Sequence, residues 1–295
     1  FVQIEGLEMA AYLTTIRQHA PEVKLIYDAH NVEYDLQDRI AGQDAQHLRR
    51  LPYAIYSRIQ TRRLERFEAQ VCREADRILA VSGADAQKLR QLDHRTPVTV
   101  IPNAIDTSQY IDHDETEASI VKPALVFTGK MDFRPNVDAM LWFADQVLPI
   151  VREAVPGTHL TIVGKSPHPR LEDLRGKAGV TVTGFVPAIQ PYIKAADVFV
   201  APLLMGSGTR LKVLEAMSMR RAIVSTRLGA EGIDIVHREH ALLADSAKDF
   251  AESVIMLLQD AELRERLGRH AFDLVREQYD WEAVLPRLLE VYRVM

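Results

Sequence analysis

The chain has 295 residues, 47% hydrophobic and 26% charged, with 36 lysines and arginines against 41 acidic residues and a net charge of −5. That length buries a sizeable core and divides readily in two, and the acidic balance speaks against a nucleic-acid partner. Cys72 is the single cysteine, which excludes an internal disulfide and a cysteine-based zinc site and fits a cytoplasmic location, and no run reaches the apolar length of a spanning helix. The opening FVQIEGLEMAAYL starts inside a pattern, so a fragment of a longer chain is expected.

In chain order, helical periodicity covers roughly 6–18, 57–74 and 83–91, with strands expected at VKLIYD (23–28), RILAVS (77–82) and VTVI (98–101). These make a thin, incomplete Rossmann-like unit over 1–104. The helix SRIQTRRLERFEAQVCRE (57–74) is basic and amphipathic, with Ile59, Leu64, Phe67 and Val71 on its apolar side and Glu65, Glu68 and Glu74 diluting its charge. It reads either as a packed helix with a solvated face or as a peripheral membrane contact. Residues 105–123 are turn-rich and acidic and form a linker.

Over 124–278 the pattern is clearer. ALVFT (124–128), HLTIV (159–163), VTVTG (180–184), DVFVA (197–201), AIVST (222–226) and ALLA (241–244) are short apolar runs, and between them lie helical segments such as 136–154. Strands apolar on both faces and alternating with helices predict a doubly wound parallel sheet, the α/β class. The last segment, 279–295, is a terminal helix with Pro286 inside it.

In a doubly wound sheet ligands collect beyond the carboxyl ends of the strands. APLLMGSGTRLKVLEAM (201–217) lies there. Gly206 and Gly208 permit close backbone approach, Ser207 and Thr209 add hydroxyls, and the following helix offers unpaired amides to an anion. Arg210 and Lys212 in its first turn oppose the helix dipole by roughly 0.3–1 kcal/mol each unless an anion sits between them. A diphosphate is the sharper reading, and a tight surface turn with two exposed cations is the alternative. Glu215 is placed to accept the vicinal hydroxyls of a ribose, or is an ordinary helix glutamate. Phe185 and Val186 in VTGFVP stand at the same edge, either to stack beside a nucleobase or simply where a strand closes on a Gly-x-x-Pro turn. Gly129 and Lys130 in GKMDFRPN follow the first strand of this domain and point to the same crevice.

With these residues in place the chain resembles the nucleotide-sugar-dependent glycosyltransferases of the GT-B fold, glycosyltransferase family 4. YDAHNVEY (27–34), ADRILAVSGADAQKL (75–89), VTVIPNAID (98–106), LVFTGKMDFRPNVDAMLWF (125–143), HLTIVGKSP (159–167), the stretch 180–217 and GAEGI (229–233) carry the resemblance. It implies two Rossmann-like domains facing across a cleft, with the donor held by the second domain, the acceptor by the first, and the terminal helix returning to the first. It further implies transfer with retention and without a metal or other cofactor. Arg210 and Lys130 are then expected to stabilise the departing diphosphate, Lys212 to support them, and Glu215 to hold the ribose. The family's donor motif has two glutamates; Glu215 matches the second, and Ser207 stands at the first. A second lysine, usual a few residues after Lys130, is replaced by Asn136. On the acceptor side Glu5 stands where the family often has a histidine, and Asp28 and His30 resemble cleft residues. The expected partners are a nucleotide sugar and a carbohydrate or lipid-linked acceptor, in polysaccharide or envelope synthesis. A sugar-nucleotide epimerase on the same fold and a non-catalytic nucleotide-sugar binder are the alternatives.

Overall fold

The computed structural model describes residues 1–45, 51–111, 117–206 and 209–295. They form two compact α/β units: Phe1–Asn103 with Met205–Thr209 and Val284–Met295, and Ala104–Leu204 with Arg210–Ala283.

The first unit is built on four parallel strands in the order β1 (Val2–Glu5), β2 (Leu25–Ala29), β3 (Arg77–Ala80), β4 (Val98–Val100). The segment predicted as one helix over 6–18 is broken into Gly6–Met9, a 3-10 turn at Ala10–Tyr12, and Leu13–His19. The break follows a start at Gly6, whose φ of 75° is left-handed rather than helical. Val291, near the end of the terminal helix Trp281–Arg293, packs on Ile26 and Leu79 of the same unit. Tyr292 stacks on Phe1 at 4.8 Å and donates to Gln3 Oε1 at 2.6 Å.

The long helix of this unit runs Leu51–Glu74, starting earlier than expected, with Pro52 in its first turn where a missing amide costs nothing. Its buried side also differs from the expected one. Ile59 and Phe67 are exposed, while Val71 and Cys72 are in the core together with Glu68, which has no exposure at all. A charged residue at a core position displaced the apparent apolar stripe. Glu68 accepts from the Tyr27 hydroxyl at 3.1 Å and from the amides of Glu33 and Tyr34 at 3.4 and 3.3 Å. These amides open the helix Glu33–Ala45, so the carboxyl caps a neighbouring helix across the core. Burial pushes its pKa up to about 7, against the three hydrogen bonds, which favour the ionised form. The same burial pushes the Cys72 thiol up to about 12, leaving it inert.

The second unit has six parallel strands: β5 (Ala124–Thr128), β6 (His159–Val163), β7 (Val180–Val182), β8 (Val198–Ala201), β9 (Ile223–Ser225) and β10 (Leu242–Leu243), in the order β10-β9-β8-β5-β6-β7. The chain moves from β5 outward to β7, then crosses to β8 on the other side, so the switch point lies between β5 and β8. All five residues of β5 are buried, as a central strand covered on both faces requires. The helical stretch predicted over 136–154 becomes Arg134–Trp142 and Leu148–Ala154, joined by a π-turn at Phe143–Val147. Pro149 removes the amide that would have bonded to the carbonyl of Asp145, and the widened turn absorbs that loss. Two end caps are legible in side chains: Ser246 accepts from the Asp249 amide and Asp260 from the Leu263 amide.

Glu68→Ala leaves a hydroxyl and two amides in the core without a partner and is expected to destabilise the protein by about 2–4 kcal/mol in urea unfolding. Because the folded pKa lies above the ordinary 4.5, the folded state holds the proton more tightly than the unfolded chain. The stability contributed by Glu68 is full below about pH 4.5 and declines toward pH 7. The margin of wild type over Glu68→Gln is therefore expected to narrow across that window; a margin that widens or stays level contradicts the assignment.

Candidate functional site

The carboxyl ends of β5, β6 and β7 open on a cleft of about 300 Å³ lined by Thr128, Gly129, Lys130, Val163, Gly164, Lys165, Phe185, Val186, Ile189, Lys212 and Glu215. Two glycines shape its floor. A Cβ on Gly164 would stand 1.7 Å from the Gly129 carbonyl oxygen, and a Cβ on Gly129 would meet both Lys212 Nζ and Asn136 Nδ2 at 2.8 Å. The β5 and β6 ends thus touch backbone to backbone, and the space beside Gly129 is taken by an ammonium.

That ammonium is Lys212, in the first turn of the helix Leu211–Ser218. It donates to Asn136 Oδ1 at 2.6 Å and lies 4.1 Å from the centre of the Phe127 ring. Burial lowers its pKa to about 7; Glu215 pulls it back up and Arg210 lowers it further. Glu215, one turn along the same helix, is pushed above its ordinary range by burial, with Lys212 and the Tyr110 hydroxyl opposing. Tyr110 stands 3.5 Å from Glu215 Oε1. Asn136, which stands where the family pattern has a lysine, thus holds the ammonium of Lys212 from a different element.

Lys130 is exposed and pairs loosely with Asp132 at 3.4 Å. Phe185 is 75% exposed, so its ring is open to a ligand, whereas Val186 is partly buried against the core. Of the residues singled out in sequence, Gly129, Lys130, Phe185, Val186, Lys212 and Glu215 come together in this cleft. Arg210 does not line it. Its side chain is only 9% exposed, Nε donates to the Leu228 carbonyl at 3.3 Å, and one terminal nitrogen lies 3.9 Å from Glu231. The turn carrying Leu228 and Glu231 therefore lies against the guanidinium. Gly206 has a φ of 114°, a left-handed conformation that favours glycine. It groups with Thr209 in the first unit, and the Thr209 hydroxyl is buried with no hydrogen-bond partner among the described residues. Ser207 and Gly208 lie outside the described residues.

Sequence reasoning missed Lys165, Ile189 and the Asn136–Lys212 bond. Lys165 follows β6 in GKSP just as Lys130 follows β5 in GKMD, and that parallel was the available signal.

In the first unit, Glu5 and Asp28 are register partners at the carboxyl ends of β1 and β2. Burial raises the Asp28 carboxyl above its usual range and Glu5 adds to this, while His30 and a 2.8 Å hydrogen bond from Gln3 pull it down. His30 is exposed, and its ring lies beside Gly6, farther off than the Glu8 carboxylate. Glu5, Asp28 and His30 thus share one strand edge. Among the described residues no group of three or more His, Cys, Asp or Glu is arranged to hold a metal ion, and no helix is long and apolar enough to cross a membrane.

Two family models match this chain: "Glycosyltransferase Family 4" over residues 6–109 and "Glycosyl transferases group 1" over 122–260. A Klebsiella pneumoniae protein described as an uncharacterized 44.6 kDa protein in the cps region is 25% identical over 174 residues, covering 56% of this chain and 45% of that one. The phosphatidyl-myo-inositol mannosyltransferase of Mycolicibacterium smegmatis is 27% identical over 203 residues, 66% of this chain and 51% of its own. The chain spans about half the length of the curated relatives it matches. Among solved structures, sucrose-phosphate synthase from Thermosynechococcus elongatus superposes with a TM-score of 0.72 at 17% identity, over 99% of this chain and 72% of that one. Anabaena HepE, solved in complex with UDP, gives 0.69 at 14% identity, over 100% and 79%. At such identities these two share the fold. With a family model on each half, two parallel-sheet α/β units and GT-B structural neighbours, the chain belongs to the group 1 glycosyltransferases of the GT-B fold.

Proposed function

We propose that the protein transfers a sugar from a nucleoside-diphosphate sugar to a hydroxyl of a carbohydrate or lipid-linked acceptor, with retention and without a catalytic metal. The observation that carries this is the Lys212 ammonium, held at the cleft floor by Asn136 and Phe127 with Glu215 one turn away. A buried cation beside strand-end backbone suits a diphosphate, and a carboxylate at that spacing suits the ribose attached to it. Exposed Phe185 supplies a face for the base.

In this reading the bond between the anomeric carbon and the diphosphate oxygen breaks, and the acceptor oxygen bonds to that carbon on the same face. The acceptor proton passes to the departing diphosphate. Lys130 and Lys212 meet the charge that accumulates on the diphosphate, and Arg210 adds a fixed positive field from behind. Glu5, Asp28 and His30 are assigned to the acceptor side. Relatives named for action on phosphatidyl-myo-inositol and for a cps region support an acceptor in polysaccharide or envelope synthesis. A cytoplasmic protein resting on the membrane's inner face fits this reading, and the exposed Tyr53, Ile55 and Tyr56 on the Leu51–Glu74 helix support it.

A thermal-shift panel of UDP-, GDP- and ADP-sugars, followed by transfer of labelled sugar from the stabilising donor, tests the proposal. Binding with neither transfer nor hydrolysis would leave a nucleotide-sugar binder instead. Arg210→Ala, which removes a field rather than a contact, is expected to lower turnover by roughly tenfold; unchanged turnover in an intact fold removes Arg210 from the mechanism. Glu215→Ala is expected to weaken nucleotide binding roughly tenfold and to abolish discrimination against the 2′,3′-dideoxy nucleotide. Retained discrimination places the ribose elsewhere. A bound diphosphate raises the pKa of Lys212 from about 7, so binding takes up a proton above that pH. Affinity for an intact nucleotide sugar, whose diphosphate does not titrate there, is expected to fall roughly tenfold between pH 7 and 9. The fall should flatten in Lys212→Met, and parallel profiles would rule the linkage out.

A further inference from the structure

The sheet of the second unit has a second cleft, at the opposite edge. Since all six strands are parallel, the amino ends of β5, β8 and β9 lie on the far side from the cleft described above. Here a cavity of about 380 Å³ is lined among the described residues by six cations, Lys122, Lys194, Arg220, Arg221, Arg264 and Arg269, and by three acids, Glu117, Asp197 and Glu265. The size falls within the roughly 300–1,000 Å³ of small-ligand pockets.

The acids do not neutralise the cations evenly. Asp197 spends one oxygen on Lys122 at 3.1 Å and the other on the Ala124 amide at 2.7 Å, tying the entry of β5. Burial lowers the pKa of Arg221, with Glu117 and Asp197 opposing only in part, and its Nη1 donates to the Lys194 carbonyl at 3.1 Å. Arg264 is held by the carbonyls of Leu257 and Leu258 at the end of the helix Ala247–Gln259, which orient it without cancelling its charge. Arg269 has no hydrogen-bond or ion-pair partner among the described residues, and Arg220 meets only the Phe272 ring, 4.5 Å away.

The backbone is also arranged to keep these groups together. Arg220 takes a left-handed φ of 54°, uncommon for a residue with a side chain. A Cβ on Gly268 would stand 2.2 Å from the Arg220 carbonyl oxygen, so only glycine lets the helix Ala261–Gln278 approach this turn so closely. Six cations against three carboxylates leave the cleft with an excess of positive charge, gathered from the segments entering β5, β8 and β9 and from this helix, and a bound anion would lower their mutual repulsion.

We propose that this amino-edge cleft binds a small phosphate-bearing anion, independently of the donor cleft. The proposal does not rest on the transferase reading. Inorganic phosphate and inorganic pyrophosphate are the probes, titrated calorimetrically into the full chain. Arg220→Gly with Arg269→Ala removes two cations while relieving the left-handed strain. Lys130→Ala alters only the other edge. The expected result is saturable binding of at least one probe that weakens tenfold or more in the double variant, survives Lys130→Ala and declines with added salt. Should the double variant melt early, Arg269→Glu alone, on an exposed helix face, is expected to act in the same direction. Absence of binding to wild type, equal affinity in the cleft variants, or loss on Lys130→Ala alone overturns the proposal.

Discussion

An ammonium enclosed by protein is unstable unless charge or hydrogen bonding compensates it, and the carboxyl-edge cleft is organised around that constraint at Lys212. Asn136 accepts from it, the Phe127 ring lies under it, and Glu215 supplies the opposing charge on the same helix. The compensation is partial. Burial still lowers the lysine to about 7 and raises the glutamate. In the proposed function the ligand completes the compensation, bringing negative charge to one and hydroxyl donors to the other. Helix position sharpens the point, since a cation in a first turn works against the helix dipole.

The floor beneath this pair is set by backbone contact. Gly129 and Gly164 end adjacent strands and touch where any side chain would collide. Their approach leaves a recess deep enough for Lys212 to enter from the neighbouring helix. The switch in strand order beside β5 produces the crevice itself, because the connections leaving the carboxyl ends of β5 and β8 run to opposite sides, to β6 and to β9. Arg210 illustrates how tertiary packing revises a role drawn from spacing. It adjoins Lys212 in sequence, yet the turn through Leu228 and Glu231 encloses it. In the proposed mechanism its contribution is a field rather than a contact.

Charge on the second unit is divided between two edges of one sheet. At the carboxyl edge the cations are few and individually placed; at the amino edge they are many and only partly matched by acids. The two arrangements arise differently. The first comes from strand-end lysines and one helix start, the second from Gly268 letting a long helix close on the strained turn at Arg220. Glu68 in the first unit is a third use of buried charge, in which a carboxyl replaces solvent at the start of a neighbouring helix.

The strands of the second unit were legible because a parallel strand covered on both faces must be apolar throughout. ALVFT and HLTIV therefore stand out from their surroundings and match β5 and β6 residue for residue. Gly129, Lys130, Lys212 and Glu215 were visible for a related reason: strand ends and helix starts lie close in sequence to the residues they present. Other features depended on side chains meeting from distant segments. Glu68 looked solvated because its two partner amides are more than thirty residues away. Asn136 looked like a lost cation until Lys212, seventy-six positions on, reached it. Local chemistry thus determined which elements form and which residues stand at their ends. Only the packed structure decided which of those residues share a cavity, because reach, burial and hydrogen-bond partners belong to the assembled fold.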